Sequence, residues 1–85
     1  MKPVIRQGDT LRPYGGQVLE GHYECLGLPI ATQGDAVRCN KHGLTRIAQG
    51  SSESWVNGRP MALDGHRCEC GCTLVSSAPD FLVAP

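Results

Sequence analysis

Apolar positions in this chain come in short runs, and no stretch carries the sustained i, i+3, i+4 stripe of an amphipathic helix. The runs Gln17-Val18-Leu19, Arg46-Ile47-Ala48 and Thr73-Leu74-Val75 each follow a glycine corner, at Gly15-Gly16, Gly43 and Gly71. Each corner is preceded by a segment of one kind: Gly8-Asp9-Thr10-Leu11-Arg12-Pro13, Gly34-Asp35-Ala36-Val37-Arg38-Cys39 and Gly65-His66-Arg67-Cys68-Glu69-Cys70. Short pieces bounded by Gly and Pro at regular spacing predict strands. Side chains alternate along a strand, so if Leu11, Val37 and Cys68 point inward, Pro13, Cys39 and Cys70 point inward too. Three corners then converge on one axis at one end. The turns Gly27-Leu28-Pro29 and Asn57-Gly58-Arg59-Pro60 fall at the opposite end.

The spacing also holds a repeat. Gly27-Leu28-Pro29-Ile30-Ala31-Thr32-Gln33-Gly34-Asp35 returns, 31 residues later, as Gly58-Arg59-Pro60-Met61-Ala62-Leu63-Asp64-Gly65-His66. Fixed-period similarity means repeated units that share one core. Two full copies and fragments of a third suit a closed body better than a long solenoid. The expected fold is all-β: one small domain over residues 1–85, a closed pseudo-threefold body of strands with Gly- and Pro-rich turns.

Composition narrows the function. A chain of 85 residues has a poor surface-to-volume ratio and needs a staple or a partner. Two Met, one Trp, one Phe and two Tyr make a thin core. Formal net charge is +0, which leaves no electrostatic footprint for nucleic acid. No apolar run approaches the roughly 20 residues that span a bilayer. The first residues lack the apolar stretch of a signal peptide, so synthesis in the cytosol is expected, with export only by a route that needs no such signal.

Five cysteines in a reducing compartment read as metal ligands or core thiols before disulfides. Cys39-Asn40-Lys41-His42 is a C-x-x-H pair, and Cys68-Glu69-Cys70-Gly71-Cys72 adds a C-x-C-x-C run one repeat later. Thiolate and imidazole donors suit zinc, four of them in a structural site, and not calcium or magnesium. The expected ligands are Cys39, His42, Cys68 and Cys70, with His66 the rival for the fourth place. Iron is the alternative metal. His22 lies too far from the corners. Cys25 and Cys72 are expected to be core residues or unreactive surface thiols, and neighbouring inward positions make a Cys68–Cys70 disulfide poorly placed. Glu69 should point away from the ligand face. Asp9, Asp35 and Asp64 read as turn formers that bond nearby backbone N–H groups. No catalytic residue is expected. A small structural-zinc interaction module and, further off, a metal-dependent hydrolase are the competing functions.

These residues, from about Arg6 to Ser77, resemble the PAAR family, the sharpened caps of the type VI secretion spike. The resemblance rests on Gly8-Asp9 through Gly15-Gly16-Gln17-Val18, on the Cys39-to-His42-Gly43 corner and on Cys70-Gly71-Cys72-Thr73-Leu74. It rests also on Pro29-Ile30-Ala31-Thr32 and Pro60-Met61-Ala62-Leu63, which stand where the family has Pro-Ala-Ala-Arg and which lack its arginine. Gly65-His66 replaces the second Gly-Asp, and Pro13-Tyr14 stands where members often have a histidine. The resemblance implies a pseudo-threefold β-strand cone, a β-helical prism, with a zinc ion near its point, seated on the trimeric valine-glycine-repeat spike protein, non-enzymatic, and used for membrane puncture and effector delivery. It implies a protein cytoplasmic before firing and delivered to a target cell afterwards, with any effector carried non-covalently. Leu28, Arg59 and, in the tail 78–85, Phe81 are the expected contacts to the spike. Trp55 reads equally as a core or an exposed residue.

Overall fold

A computed structural model of the chain describes every residue except Leu26, Asn57 and Pro85, and describes Cys25 by its backbone only. The expectation for the Cys25 side chain therefore lies outside the described residues. Among the described residues, eleven short strands and no helix are formed: β1 (Lys2–Pro3), β2 (Thr10–Arg12), β3 (Gly16–Val18), β4 (Tyr23–Cys25), β5 (Leu28–Ile30), β6 (Ala36–Cys39), β7 (Gly43–Arg46), β8 (Trp55–Val56), β9 (Arg59–Pro60), β10 (Thr73–Val75) and β11 (Leu82–Val83). The fold is all-β, as the short apolar runs predict. All pairings are antiparallel: β3–β6–β7 form one sheet, and β2–β10, β4–β5, β8–β9 and β1–β11 form ribbons of two.

The pieces are organised by a closed ring. Ile5 N–H donates to Ala62 O, Ala62 N–H to Ala31 O, and Ala31 N–H to Ile5 O, at 2.8–3.0 Å. A second cycle runs from Gln7 N–H to Pro29 O, Gln33 N–H to Pro60 O and Asp64 N–H to Pro3 O. The third copy of the proline tetrad is thus Pro3-Val4-Ile5-Arg6, which does carry the arginine that the other two lack. Alternation within each tetrad divides the core. Ile5, Ala31 and Ala62 belong to the larger cluster, with Leu11, Val18, Val37, Ile47 and Leu74. Val4, Ile30 and Met61 belong to a smaller one, with Leu63 and Ala78. Each fully buried Val, Leu or Ile stabilises the fold by about 1.5–3 kcal/mol.

Three loops rise from equivalent turns. Val18 N–H donates to Asp9 O, Ile47 N–H to Asp35 O and Leu74 N–H to His66 O. The turn side chains act alike: Asp9 Oδ2 accepts from Arg6 N–H at 2.8 Å, Asp35 Oδ2 from Thr32 N–H at 2.7 Å, and His66 Nδ1 from Leu63 N–H at 3.1 Å. Asp64 accepts from Ser76 N–H. Asp9 and Asp35 are turn formers as expected, whereas Asp64 ties its turn to Ser76 across the third loop, where His66 makes the local turn bond. In the second loop the β6–β7 ladder continues as far as Cys39 and Gly43, whereas the third turns back after Cys68, whose N–H donates to Cys72 O. The loops are therefore unequal, and the second reaches furthest.

Leu11, Val37 and Cys68 are buried as alternation requires, and so is Cys39. Pro13 is not: it lies exposed in the bend between β2 and β3. There the chain has already left strand geometry, so the period of two no longer governs it. Gly16 is needed at this place because a Cβ would come within 2.0 Å of Arg38 O. The body measures 29 × 21 × 19 Å, longer in one direction, in keeping with a cone.

Candidate metal centre

The second and third corners, which carry the thiols and the imidazole, meet. Cys39 closes β6 on the inner face and His42 precedes Gly43 on the way into β7. In the third corner, Gly71 takes a positive φ of 96°, a conformation costly for other residues, and turns the chain so that Cys72 returns inward. Four donor atoms, one each from Cys39, His42, Cys70 and Cys72, lie within 4.8 Å of one another. Cys39 Sγ is 3.4 Å from His42 Nδ1 and 3.0 Å from Cys72 Sγ. Cys39 and Cys72 are buried, Cys70 is half-buried and His42 is exposed, so the group opens to solvent on one side.

The sequence expectation placed Cys39, His42 and Cys70 here with Cys68. The structure brings the first three together with Cys72. Cys68 is buried one rung deeper, level with Leu11 and Val37, inside the larger cluster. The expectation ran a single extended strand from Cys68 through Cys70; the turn at Glu69–Gly71 interrupts it and exchanges Cys72 for Cys68. The glycine between the last two cysteines was the available signal. His66 is occupied by its backbone bond to Leu63 and stands outside the group. His22 Nε2 lies 2.5 Å from Asp35 Oδ1, and His22 is not one of the four grouped donors. Glu69 is exposed on its turn.

The first corner contributes no donor but walls the group. Tyr14 meets the His42 ring edge-on, with centroids 5.7 Å apart at 77°. Lys41 Nζ lies 4.4 Å from the centre of the Tyr14 ring and 3.0 Å from its hydroxyl. Asn40 bonds to both Tyr14 O and Gly15 O. Corner one is thereby clipped to corner two beside the imidazole.

Electrostatics separates the thiols. Cys39 is drawn down to about 6, first by the hydrogen bond from Cys72, then, against the effect of burial, by the His42 and Lys41 backbone N–H groups and the His42 ring. Burial pushes Cys72 and Cys68 up to about 12, helped by neighbouring sulfurs. One sulfur is thus pre-disposed to be thiolate, the form a metal binds. Three thiols and an imidazole are a soft donor set that suits a tetrahedral ion such as Zn²⁺. With Zn–S near 2.3 Å, tetrahedral sulfurs stand about 3.8 Å apart. The spread of the four atoms accommodates that once Cys39 and Cys72 part slightly.

Eight large apolar side chains are exposed among the described residues. Tyr23 and Leu28 lie on β4–β5 and Trp55 on β8–β9, while Phe81 and Leu82 lie at or next to β11. Trp55 is 56% exposed, with its indole N–H bonded to Ser52 O, which decides it as a surface residue. Leu28 and Phe81 are 40% and 37% exposed. Arg59 reaches toward Asp35 Oδ1, at 3.7 Å, and His22 Nε2.

Comparison with curated proteins finds no match. A family model described as the PAAR motif matches residues 7–76, which takes in the loops, the ring segments after the first and every donor, and the chain belongs to the PAAR-motif family.

Proposed function

We propose that this chain is the non-enzymatic, sharpened tip of a type VI secretion spike. In this reading its corner end is closed by one zinc ion, and its two-stranded ribbons sit on the trimeric valine-glycine-repeat spike protein. Membership of the PAAR-motif family supports a spike-tip role in general. The observation that carries the specific reading is the ring that relates three units within one chain, since three quasi-equivalent units match a threefold partner.

Each unit offers one ribbon: β4–β5, β8–β9 and β1–β11. Their exposed apolar residues, Leu28 and Phe81 with Trp55 and Tyr23, are the proposed contacts, with Arg59 at the rim. Ribbons of two to three residues are too short to stand alone, and seating on a partner covers their strand ends. At the other end Cys39, His42, Cys70 and Cys72 hold the ion, which supplies a cross-link where side-chain burial is thinnest. In this reading the protein is cytoplasmic until the spike fires.

The test is titration of the purified trimeric spike protein with the chain and with Leu28→Asp, Phe81→Asp and the double variant. One chain per trimer, with binding weakened progressively by the three variants, is the expected result. Undiminished binding by the double variant would remove the ribbons from the interface.

A further inference from the structure

Two of the donor thiols stand closer together than a shared ion requires. Cys39 Sγ and Cys72 Sγ are 3.0 Å apart, and both residues are 1% exposed. They lie 33 residues apart in the chain, on different corners. Cys70 has its sulfur within 4.8 Å of both and is the more open of the three. All three are free thiols.

We propose that Cys39 and Cys72 form an intramolecular disulfide that ties the second corner to the third when the chain meets a small-molecule disulfide, with Cys70 as the entry thiol. The Cys70 thiolate attacks one sulfur of the oxidant, making a mixed disulfide and releasing one thiol. The Cys72 sulfur then attacks Cys70 Sγ and displaces the second thiol. The Cys39 sulfur attacks Cys72 Sγ, breaking the Cys70–Cys72 bond and returning Cys70 as a thiol. Two protein thiols lose two electrons, the oxidant is reduced to two thiols, and those thiols carry off the two protons. The last exchange runs forward because Cys70 and Cys72, one residue apart, bridge with poor geometry, whereas Cys39 and Cys72 are already in reach. The bond closes a long loop, the case in which a cross-link restricts the unfolded chain most.

The disulfide rests on the sulfur geometry and not on the spike reading. One consequence does rest on the metal reading: Cys39 and Cys72 are two of its four donors, so the bond and the ion exclude each other.

The experiment treats the full metal-free chain with oxidised glutathione, blocks remaining thiols by alkylation, and reads intact mass and linked peptides. The expected product has lost two of its five thiols, retains no glutathione and yields a Cys39–Cys72 linked peptide. In Cys70→Ser the same pair forms about tenfold more slowly. A stable glutathione adduct, a Cys70–Cys72 or Cys68–Cys70 bond as end product, or no thiol loss would overturn the proposal. Because the linked peptide is mapped on the unsubstituted chain, misfolding of a variant does not blur the result. In a parallel arm the chain is first loaded with zinc. Protection is expected; oxidation as fast as in the metal-free chain would overturn the metal reading and leave the disulfide standing.

Discussion

The two core clusters on either side of the tetrad ring are closed by different means. The larger, on the corner side, buries Leu11, Val18, Val37, Ile47 and Leu74 under a cap of thiols, and its loops clip to one another through Asn40, Lys41 and Tyr14. The smaller, on the ribbon side, buries Val4, Ile30, Met61, Leu63 and Ala78, with Val56 and Val83 only partly covered. Around it stand exposed Tyr23, Leu28, Trp55, Phe81 and Leu82. The corner end has donors and few exposed apolar groups; the ribbon end has the reverse. On the proposed function, the corner end is completed within the chain by its own donors, and the ribbon end, which exposes apolar surface, is completed by a second molecule.

The largest break in that contrast comes from removing a donor. Structural zinc contributes on the order of ~10 kcal/mol to small zinc domains. On the proposed zinc reading the chain carries one zinc in elemental analysis, and Cys39→Ser or Cys72→Ser is expected to lose it and to lower the melting temperature by tens of degrees, roughly 4–8 °C for each kcal/mol lost. Leu74→Ala and Leu63→Ala, one from each cluster and both 0% exposed, should each cost about 2–5 kcal/mol in denaturant unfolding. Spike protein should restore stability to Leu63→Ala more than to Leu74→Ala, and equal rescue of the two variants would erase the distinction between the ends.

Cys68→Ala sharpens the comparison within the corner. It should keep one zinc per chain and cost only about 1–2 kcal/mol, as a truncated core side chain does. Loss of zinc in this variant would return Cys68 to the ligand set. At the ribbon end, Leu28→Asp should change the unfolding free energy by no more than about 0.5 kcal/mol while weakening spike binding.

The smallest effect is pH-dependent and belongs to the metal-free chain. The folded-state value of Cys39 is depressed, from 9.0 to about 6, so its contribution to stability is present above the unfolded value and is lost as pH falls through about 6. Thiolate absorbance should fall in that range and should be missing from Cys39→Ser. Cys72 runs the other way: its value is raised to about 12, so its contribution holds below 9.0 and is lost as pH rises toward 12.

The residues by themselves determined the all-β character, the repeat, the inward face of Leu11, Val37 and Cys68, and the presence of Cys39, His42 and Cys70 at converging corners. Each of these follows from local signals: glycine and proline spacing, and alternation along a strand. Tertiary structure decided the rest. Pro3-Val4-Ile5-Arg6 has neither alanine of the motif, although Gln7-Gly8-Asp9 follows it as Gln33-Gly34-Asp35 follows Pro29-Ile30-Ala31-Thr32, and it is established as the third tetrad by the hydrogen-bonded ring that Ile5 closes with Ala31 and Ala62. Cys72 enters the donor group in place of Cys68 because the turn through Gly71 ends the alternation that held up to Cys68. Pro13 faces solvent for the same reason. A period of two is a property of extended backbone, so it speaks for strands and falls silent at corners, and in this protein the chemistry sits at the corners.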